Sequence, residues 1–207
     1  MTAAVNPPLP LGYSPVPPGC VVNAVTCLEM LERPSALAGS PFVPPYRLEP
    51  TDRADLAAYR TLFRRVGEPW LWSSRLAMPD ERLSALLSHP DIDVYTLSNG
   101  SEGVGILELD FRESSVCELS FFGLAPGATG QGLGRQLMDA AITRAWARPI
   151  NRFWVHTCTF DHPRALGFYQ HAGFRAYEFQ VEVMPDPRLT GILPRTAAPH
   201  IPLVDRN

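Results

Sequence analysis

The sequence contains no lysine, so all 18 of its Lys and Arg residues are arginines. This absence excludes a P-loop, in which a lysine that contacts phosphate follows the last glycine. The net charge is −3 and no basic block occurs, which argues against a nucleic-acid-binding surface. No apolar run is long enough to span a membrane, and no charged segment followed by an apolar stretch marks a secretory signal. We therefore predict neither a nucleic-acid nor a membrane partner.

Cysteine is scarce and irregularly spaced. The four cysteines have neither the spacing of a disulfide framework nor that of a metal site. Cys117 and Cys158 fall in apolar, strand-like stretches, where a free cysteine acts as a small hydrophobic residue. These features predict a reduced, cytoplasmic protein without a bound metal.

The 207 residues predict one domain with extensions on both sides. The folded domain is expected over 46–184, preceded by a proline-rich extension, 1–45, and followed by a proline-rich tail, 185–207. Within the extension, Cys20–Met30 has strand character. It could pair onto a sheet edge or a second subunit, which leaves a homodimer open, or form a packed flap without chemical function.

Hydrophobic periodicity predicts the element order β-α-α-β-β-β-α-β-α-β from Tyr46 onward. The first helix is expected to begin at Pro50-Thr51-Asp52 with Thr51 as its N-cap, and to end at Gly67. The second is expected to begin at Pro79. This order is typical of an α+β fold with a mixed sheet.

A glycine-rich turn lies between a strand and a helix. The apolar run Val116–Leu124 predicts a strand that Pro126 ends, and a helical pattern begins at Leu133. Between them lie Gly130, Gly132 and Gly134. Free N–H groups and the positive end of the dipole at a helix start favour a phosphate, and glycines let the backbone approach it closely. The spacing does not fit a dinucleotide-binding loop, because its third glycine would fall on Arg135 or Leu137.

A second motif follows. Arg152–Thr159 predicts a strand, and a helix with a proline near its first turn follows at Asp161–Arg164. It ends at Gly173, and Phe174 begins a last strand.

Together the two motifs resemble those of the GNAT N-acetyltransferases over Tyr46–Val183. In the family's Gln/Arg-x-x-Gly-x-Gly/Ala pattern, Gly132 and Gly134 match, and Thr129 occupies the leading position. In its second signature, Asn-x-x-Ala-x-x-x-Tyr-x-x-x-Gly-Phe, the residues in register are Ala165, Tyr169, Gly173 and Phe174, with His162 in the asparagine place. The resemblance implies a twisted, mostly antiparallel sheet flanked by about four helices. Acyl-CoA would lie between the fourth and fifth strands of this core, 116–124 and 152–159.

The resemblance also implies acetyl-CoA as co-substrate and no metal. Amides of the glycine loop, those of Gln131, Gly132, Gly134 and Arg135, would contact the pyrophosphate, and the Arg135 side chain could add a contact. The backbone of Phe122 and Leu124 would hold the pantetheine amides as an added strand would. The full set expected to bind the co-substrate is Phe122, Leu124, Thr129, Gly130, Gln131, Gly132, Leu133, Gly134, Arg135, His162 and Phe168.

Acyl transfer to an amine needs a proton acceptor, because a free alkyl amine is mostly protonated at neutral pH. Glu118 is the predicted base, since it interrupts an apolar strand where burial raises a carboxyl pKa. It would share one face of that strand with Ser120, Phe122 and Leu124 if no bulge intervenes. The alternative is a structural glutamate paired with an arginine.

Tyr169 is the predicted acid, which would protonate the leaving sulfur as the family's tyrosine is thought to do. The alternative is an aromatic packing residue. His156, on the preceding strand, is interpreted as a core histidine rather than a base.

The acceptor side is predicted between the first two helices, at Glu68, Trp70, Trp72 and Arg75. Indoles beside a carboxylate could receive a cationic amine, or the tryptophans could only pack the helices together. Three functions remain open: an N-acetyltransferase for a small amine, a protein N-terminal or lysine acetyltransferase, and an acyl-CoA-binding sensor without turnover.

Overall fold

The computed structural model describes residues 6–35 and 41–205. Its strands form one seven-stranded sheet in the order β2-β3-β4-β5-β6-β1-β7. The strands are β1 (Cys20–Met30), β2 (Arg47–Pro50), β3 (Ile92–Ser98), β4 (Gly103–Asp110), β5 (Val116–Leu124), β6 (Arg152–Cys158) and β7 (Arg175–Pro185). The α-helices are α1 (Leu56–Gly67), α2 (Ser74–Ala77), α3 (Asp80–Leu87), α4 (Leu133–Ala145) and α5 (Ala165–His171). All strand pairs are antiparallel except β5 with β6. The predicted α+β class and element order are confirmed, with the one-turn helix α2 as an addition.

Helices cover the two faces of the sheet unequally. Leu137 of α4 and Tyr169 of α5 pack on Leu107 and Phe153 in one cluster, and we call this side the α4 face. The opposite side, the α1 face, carries a second cluster formed by residues of α1, α3, β3 and β4. The α1 face of β6, β1 and β7 lies outside the second cluster.

The strand β1 lies inside the sheet, between β6 and β7. The sequence left three placements open for this segment, namely a sheet edge, a second subunit and a packed flap, and the structure makes it an internal strand of the sheet. Both faces of β1 are buried near its middle, where Cys27 is 4% and Leu28 0% exposed. Burial on both faces stabilises a central position, and it leaves β7 as the outer strand of the sheet.

The helix α1 begins later than its sequence suggests. Asp55 is its N-cap, and its carboxylate accepts a hydrogen bond from the Ala58 N–H at 2.9 Å. The Thr51 N–H donates to Val94 instead, so the chain continues alongside β3 past the end of β2. Thr51 is therefore not the cap. The helix α3 begins after Pro79 as expected.

The C-terminal segment, 186–205, packs on the domain. Leu193 and Ile201 are buried in a cluster with Leu71 and Phe160. A buried ion pair between Asp186 and Arg188, 3% and 2% exposed, lies at its start. The Arg188 guanidinium also donates to the carbonyls of Ala197, Ile201 and Pro202. The expected proline-rich tail is thus an ordered layer over the α1 face near the end of β6.

The strands β5 and β6 pair over only three residues of each strand, up to Glu118 and Trp154. Beyond this point no ladder joins them in the described residues, and the sheet has an opening between the last residues of both strands. No helix in the described part of the chain is both long and apolar enough to cross a membrane.

Candidate active site

The glycine-rich turn forms a backbone cradle at the start of α4. Gly130 and Gly132 have φ values of 81° and 80°, in the left-handed region that glycine adopts without strain. The N–H groups of Gly132, Leu133 and Gly134 have no acceptor among the described residues. A Cβ built at Gly132 would meet no atom within 4 Å, so the space before these donors is open. Three free amides at the positive end of a helix can bind a phosphate.

Side chains of the loop brace it from within. The Thr129 hydroxyl donates to the Pro126 carbonyl at 2.9 Å, and the Gln131 amide donates to Gly127 at 3.2 Å. Gln131 also accepts a hydrogen bond from the Tyr46 hydroxyl. The Arg135 N–H donates to Gly132 at 3.1 Å, so this amide is used inside the turn rather than free as expected. The Arg135 side chain is exposed.

The end of β5 and the helix α5 meet beside the cradle. A Cβ at Gly134 would lie 3.8 Å from Leu124 and 3.9 Å from Phe168. The rings of Phe122 and Phe168 are stacked with centroids 5.7 Å apart. The structure therefore brings together four of the residues predicted to bind the co-substrate.

The free edge of β5 faces the opening. The Ala125 N–H donates to the Val104 carbonyl of the neighbouring chain, so the alternation of an antiparallel ladder turns the backbone groups of Leu124 and Phe122 away from β4. These groups point to the side where β6 has diverged, as an added strand would require.

Tyr169 lies at the inner end of this aromatic group and is 8% exposed. Its ring contacts Phe122, Phe168 and Phe174 at centroid distances of 6.2, 5.8 and 6.0 Å. Burial raises the pKa of the Tyr169 hydroxyl above its ordinary value, so the phenol keeps its proton at neutral pH. Within the described chain the hydroxyl has no hydrogen-bond partner.

His162 caps the turn that leads into α5. Its Nδ1 accepts a hydrogen bond from the Arg164 N–H at 3.1 Å, as an asparagine oxygen could at the same place. Its exposed ring makes an edge contact with Trp70 at 5.5 Å.

Glu118 lies on the opposite side of β5 from Phe122. The register of β5 against β4 shifts after Leu119, which adds one residue, Ser120. We expected Glu118, Phe122 and Leu124 to share a face, and the bulge makes this wrong. Glu118 projects from the α1 face, whereas Phe122 and Leu124 lie on the α4 face.

The environment of Glu118 raises the pKa of its carboxyl group into the neutral range. Burial first, and then the nearby carboxylates of Asp110 and Glu108, raise the pKa of Glu118 to about 7, against the opposing effect of Arg75. Asp110 remains charged because, although burial acts in the other direction, hydrogen bonds from Arg112 hold its pKa below the ordinary value. The Glu118 carboxyl group makes no hydrogen bond or ion pair within the described residues. A carboxylate of this kind can accept a proton from an amine.

A buried network next to Glu118 was missed in the sequence. Glu108 is fully buried, accepts a hydrogen bond from the Tyr59 hydroxyl at 2.9 Å and forms an ion pair with Arg75. Arg75 also lies 4.7 Å from the centroid of the Phe121 ring. The Arg75 guanidinium is thus occupied by contacts within the protein, which argues against the predicted role in binding the acceptor. Glu108 interrupts an apolar strand as Glu118 does, and that signal could have identified it.

The other predicted acceptor residues divide into two groups. Trp72 packs against Phe63 and Phe121 at ring distances of 5.5 and 5.1 Å, which favours the packing interpretation. Trp70 lies between His162 and His200 of the C-terminal segment. Glu68 lines an open cavity of about 610 Å³ with Pro126 and a set of neighbours on α1, namely Arg60, Thr61, Arg64 and Arg65.

Two further residues lie on the α1 face beside the opening. Trp154 is directly opposite Glu118 in the parallel ladder. The ring of His156 is 6.1 Å from that of Trp154, and its side chain is exposed. The interpretation of His156 as a core histidine was wrong, because the described helices do not cover this part of the α1 face.

Comparison with known proteins decides the family. The model of the Acetyltransferase (GNAT) family matches residues 58–174, which is more than half of the chain. This chain belongs to the GNAT acetyltransferase family. Its loop at Gly130–Gly134, the helix α5 and the diverging strands β5 and β6 all lie within the match.

Named relatives agree with this assignment. The chain is 31% identical over 110 residues to the mycothiol acetyltransferase of Beutenbergia cavernae, a match that covers 53% of this chain and 31% of that protein. The chain therefore spans about a third of the length of this relative. A GCN5-related N-acetyltransferase from Sphaerobacter thermophilus superposes with a TM-score of 0.61 at 13% identity, covering 94% of this chain and 55% of that one. An aminoglycoside acetyltransferase from a soil metagenomic sample gives a TM-score of 0.53 at 21% identity, covering 64% and 90%. The two structures support the fold.

Proposed function

We propose that this chain transfers an acetyl group from acetyl-CoA to a primary amine of a small molecule. The observation that carries the proposal is one strand, β5, with a phosphate cradle after its end and, near its start, a half-buried carboxyl group whose pKa is about 7. Few arrangements other than acyl transfer need both features beside one opening. The family and the acetyltransferase relatives agree with acyl transfer as the reaction class.

The residues fit the co-substrate. The amides of Gly132, Leu133 and Gly134 would hold the pyrophosphate, and the free edge of β5 would hold the pantetheine amides. Phe122 and Phe168 would pack on the apolar parts of the same arm. The thioester would then reach the opening between β5 and β6, from which Glu118 projects to one face while Tyr169 packs against the other.

Proton transfer follows from this arrangement. Glu118 would take a proton from the incoming ammonium group, directly or through water, which leaves a neutral amine to attack the thioester carbonyl. When the tetrahedral intermediate collapses, the departing thiolate would receive the phenolic proton of Tyr169. The nitrogen loses its second proton as the amide forms, and this proton restores the Tyr169 phenol, directly or through water. Catalysis is then lost as the pH falls below about 7, because Glu118 becomes protonated.

The C-terminal segment favours a small acceptor over a protein. Ile201 is buried beside Leu71, and the His200 ring lies 5.6 Å from Trp70. These residues narrow the approach on the α1 face, where an extended peptide would otherwise lie. The names of the mycothiol and aminoglycoside acetyltransferases also denote small-molecule substrates.

The decisive experiment measures free CoA released from acetyl-CoA with a panel of small amines, peptides and proteins. We expect turnover with at least one small amine, and a drop in kcat of roughly 10²-fold in Glu118→Gln with acetyl-CoA affinity retained. Glu81→Gln, on the exposed surface of α3, is the control and should keep full activity. Turnover with protein substrates only would show that the acceptor is a protein and would overturn the proposal of a small-molecule acceptor. Binding of acetyl-CoA without turnover would instead indicate a sensor.

A further inference from the structure

The outer strand of the sheet, β7, has an open edge. It pairs with β1 on one side, and no described strand pairs with it on the other. The Asp186 N–H donates to Gly19, which sets the alternation of the ladder between β7 and β1. Counting back from Asp186, the backbone groups of Val183, Val181 and Phe179 point outward. A row of free N–H and C=O groups is a template for another strand.

The side chains of the same three residues form an exposed apolar row. Phe179 is 78% exposed, Val181 50% and Val183 49%. They lie opposite Thr26, Ala24 and Val22 on the α4 face, beyond the part that α4 and α5 cover. Val22 itself is 41% exposed and widens the row. Backbone and side chains of one edge are thus both unpartnered at the same positions.

A second unpartnered element precedes β1. The N-terminal arm, residues 6–19, is exposed throughout, and residues 6–16 make no hydrogen bond in the described structure. Leu9, Leu11 and Tyr13 are 58%, 104% and 107% exposed, so their side chains lie in solvent. The chain bends at Leu11 and Gly12, where the φ of Gly12 is 104°, so the arm has to straighten before it can pair as a strand. Once it is extended, the spacing of two places all three side chains on one face. A contiguous row of exposed apolar side chains is typical of a surface that binds another protein.

The prolines of the arm make it a one-sided strand. In an extended chain, neighbouring residues direct their N–H groups to opposite edges. The edge with the Leu9, Leu11 and Tyr13 amides has all its donors, whereas the other edge lacks donors at Pro8 and Pro10. A proline is tolerated in a sheet where its nitrogen faces solvent. The arm can therefore pair on one edge and end the sheet with the other.

We propose that the N-terminal arm of a second copy of this chain binds the edge of β7 as an antiparallel strand. Leu9, Leu11 and Tyr13 then lie opposite Val183, Val181 and Phe179. Each pair exchanges backbone hydrogen bonds and places two apolar side chains side by side on the α4 face. Tyr13 and Phe179 form an aromatic pair. Exchange of both arms across a two-fold axis gives a dimer with two equal contacts.

The direction of the strands selects a second copy rather than the same chain. The arm enters β1 at Cys20, which is paired with Pro185 at the end of β7. An arm that folded back along its own β7 would run towards Pro185, parallel to β7. Parallel pairing is slightly less stable per residue and does not place the two apolar rows opposite each other in this register. An arm from a second copy is not connected to this β1, so it can run antiparallel to β7.

The first test is the mass of the full chain in solution by light scattering. We expect a dimer that Phe179→Arg converts to a monomer. Gln180→Arg is the matched control, because its side chain lies on the other face and its backbone groups face β1; it should stay dimeric. A monomeric wild-type chain, or a dimer that survives Phe179→Arg with an unchanged circular dichroism spectrum, would overturn the proposal.

A second pair of variants tests the arm, whose exposed residues can be substituted without unfolding the domain. Leu11→Pro removes a donor that faces β7, whereas Gly12→Pro changes the outward edge only. We expect a monomer for the first and a dimer for the second. Equal masses for the two variants would contradict a one-sided strand.

The last test identifies which chain supplies the arm. A chain with Tyr13→Cys is mixed with a chain with Phe179→Cys, and disulfides are allowed to form. We expect a product that contains one chain of each kind, and no such product with Gln180→Cys in place of Phe179→Cys. If a single chain with both Tyr13→Cys and Phe179→Cys closes on itself instead, the arm packs on its own β7 and the proposal is wrong.

Discussion

Glu118 and Glu108 show how two carboxyl groups a few residues apart in the sheet acquire different properties. Both interrupt apolar strands and both lie on the α1 face. Glu108 has Arg75 and the Tyr59 hydroxyl as partners, which compensate a buried negative charge. Glu118 has no such partner among the described residues, so burial and two neighbouring carboxylates raise its pKa to about 7. The unpaired group is the one suited to proton transfer.

This difference predicts that Glu118→Gln stabilises the protein while it removes catalysis. The folded pKa of Glu118, about 7, lies above its ordinary value of 4.5, so the unfolded chain releases the proton first. Stability falls as the pH rises from about 4.5 to about 7 and stays lower above that range. Glutamine has no such penalty. At a pH of about 8 the variant should gain about 2 kcal/mol in the free energy of unfolding, and at about pH 4 nothing. Urea unfolding at both pH values checks the sign, and a loss at the higher pH would show a favourable role for the charge.

We expect a substitution at Gly132 to reduce ligand affinity by more than its effect on stability explains. Its φ of 80° makes an alanine strained by about 1 kcal/mol, and the new methyl group would project into the open space of the cradle. Gly191→Ala is the matched control, with φ at 78° and equally open surroundings in the C-terminal segment. Both variants should lose similar stability. Calorimetry should show acetyl-CoA affinity reduced by roughly tenfold or more in Gly132→Ala alone; an equal loss in both would indicate a general effect of strain.

The bulge in β5 decides how one strand serves both faces of the sheet. In a regular strand, with Ser120 occupying its own place in the ladder, Phe122 would lie on the same face as Glu118. With it, the aromatic residues that contact α5 project to the α4 face while the carboxyl group projects to the α1 face. The opening to β6 begins at this point, so both faces reach the same gap.

At the end of α1, a side chain in place of Gly67 would clash with Trp72. A Cβ there would lie 2.4 Å from the Cβ of Trp72, which cannot move freely because its ring packs on Phe63 and Phe121. Gly67→Ala should lower the free energy of unfolding by about 1–3 kcal/mol. Gly167→Ala in α5 is the control: its Cβ meets no atom within 4 Å, and it should stabilise the helix by up to about 1 kcal/mol. Denaturant unfolding compares the two, and a neutral Gly67→Ala would show that Trp72 can shift.

Across the whole molecule, the C-terminal segment joins β7 to the loop between α1 and α2. We expect the buried Asp186–Arg188 ion pair to hold the C-terminal segment on the domain. Arg188→Met would leave three carbonyl groups without their donor and the buried Asp186 carboxylate with only the backbone N–H of residue 188, at a cost of about 3–5 kcal/mol. We expect hydrogen exchange to rise throughout 189–205 and the KM for the amine to rise more than that for acetyl-CoA. Arg195→Met, which breaks an exposed pair with Asp205, should change exchange little. Unchanged protection in Arg188→Met would show that apolar packing alone holds the segment.

The cradle, the motif in α5 and most element boundaries could be predicted from the sequence because they depend on local geometry. A positive φ at Gly132, a proline after a strand and an apolar residue every fourth position act over a few residues. The proposal of Glu118 as the base was a local inference too, from a charge within an apolar strand.

Contacts between distant parts of the chain could not be read in this way. The position of β1 depends on pairing with strands more than 120 residues away, and Arg75 reaches Glu108 across 33 positions. The fold of the C-terminal segment depends on apolar partners in Leu71 and Phe160. The sheet register, including the shift at the bulge in β5, depends on pairing between strands that are distant in sequence. The amino-acid pattern therefore determined the local chemistry, whereas the assembled sheet decided which groups face each other.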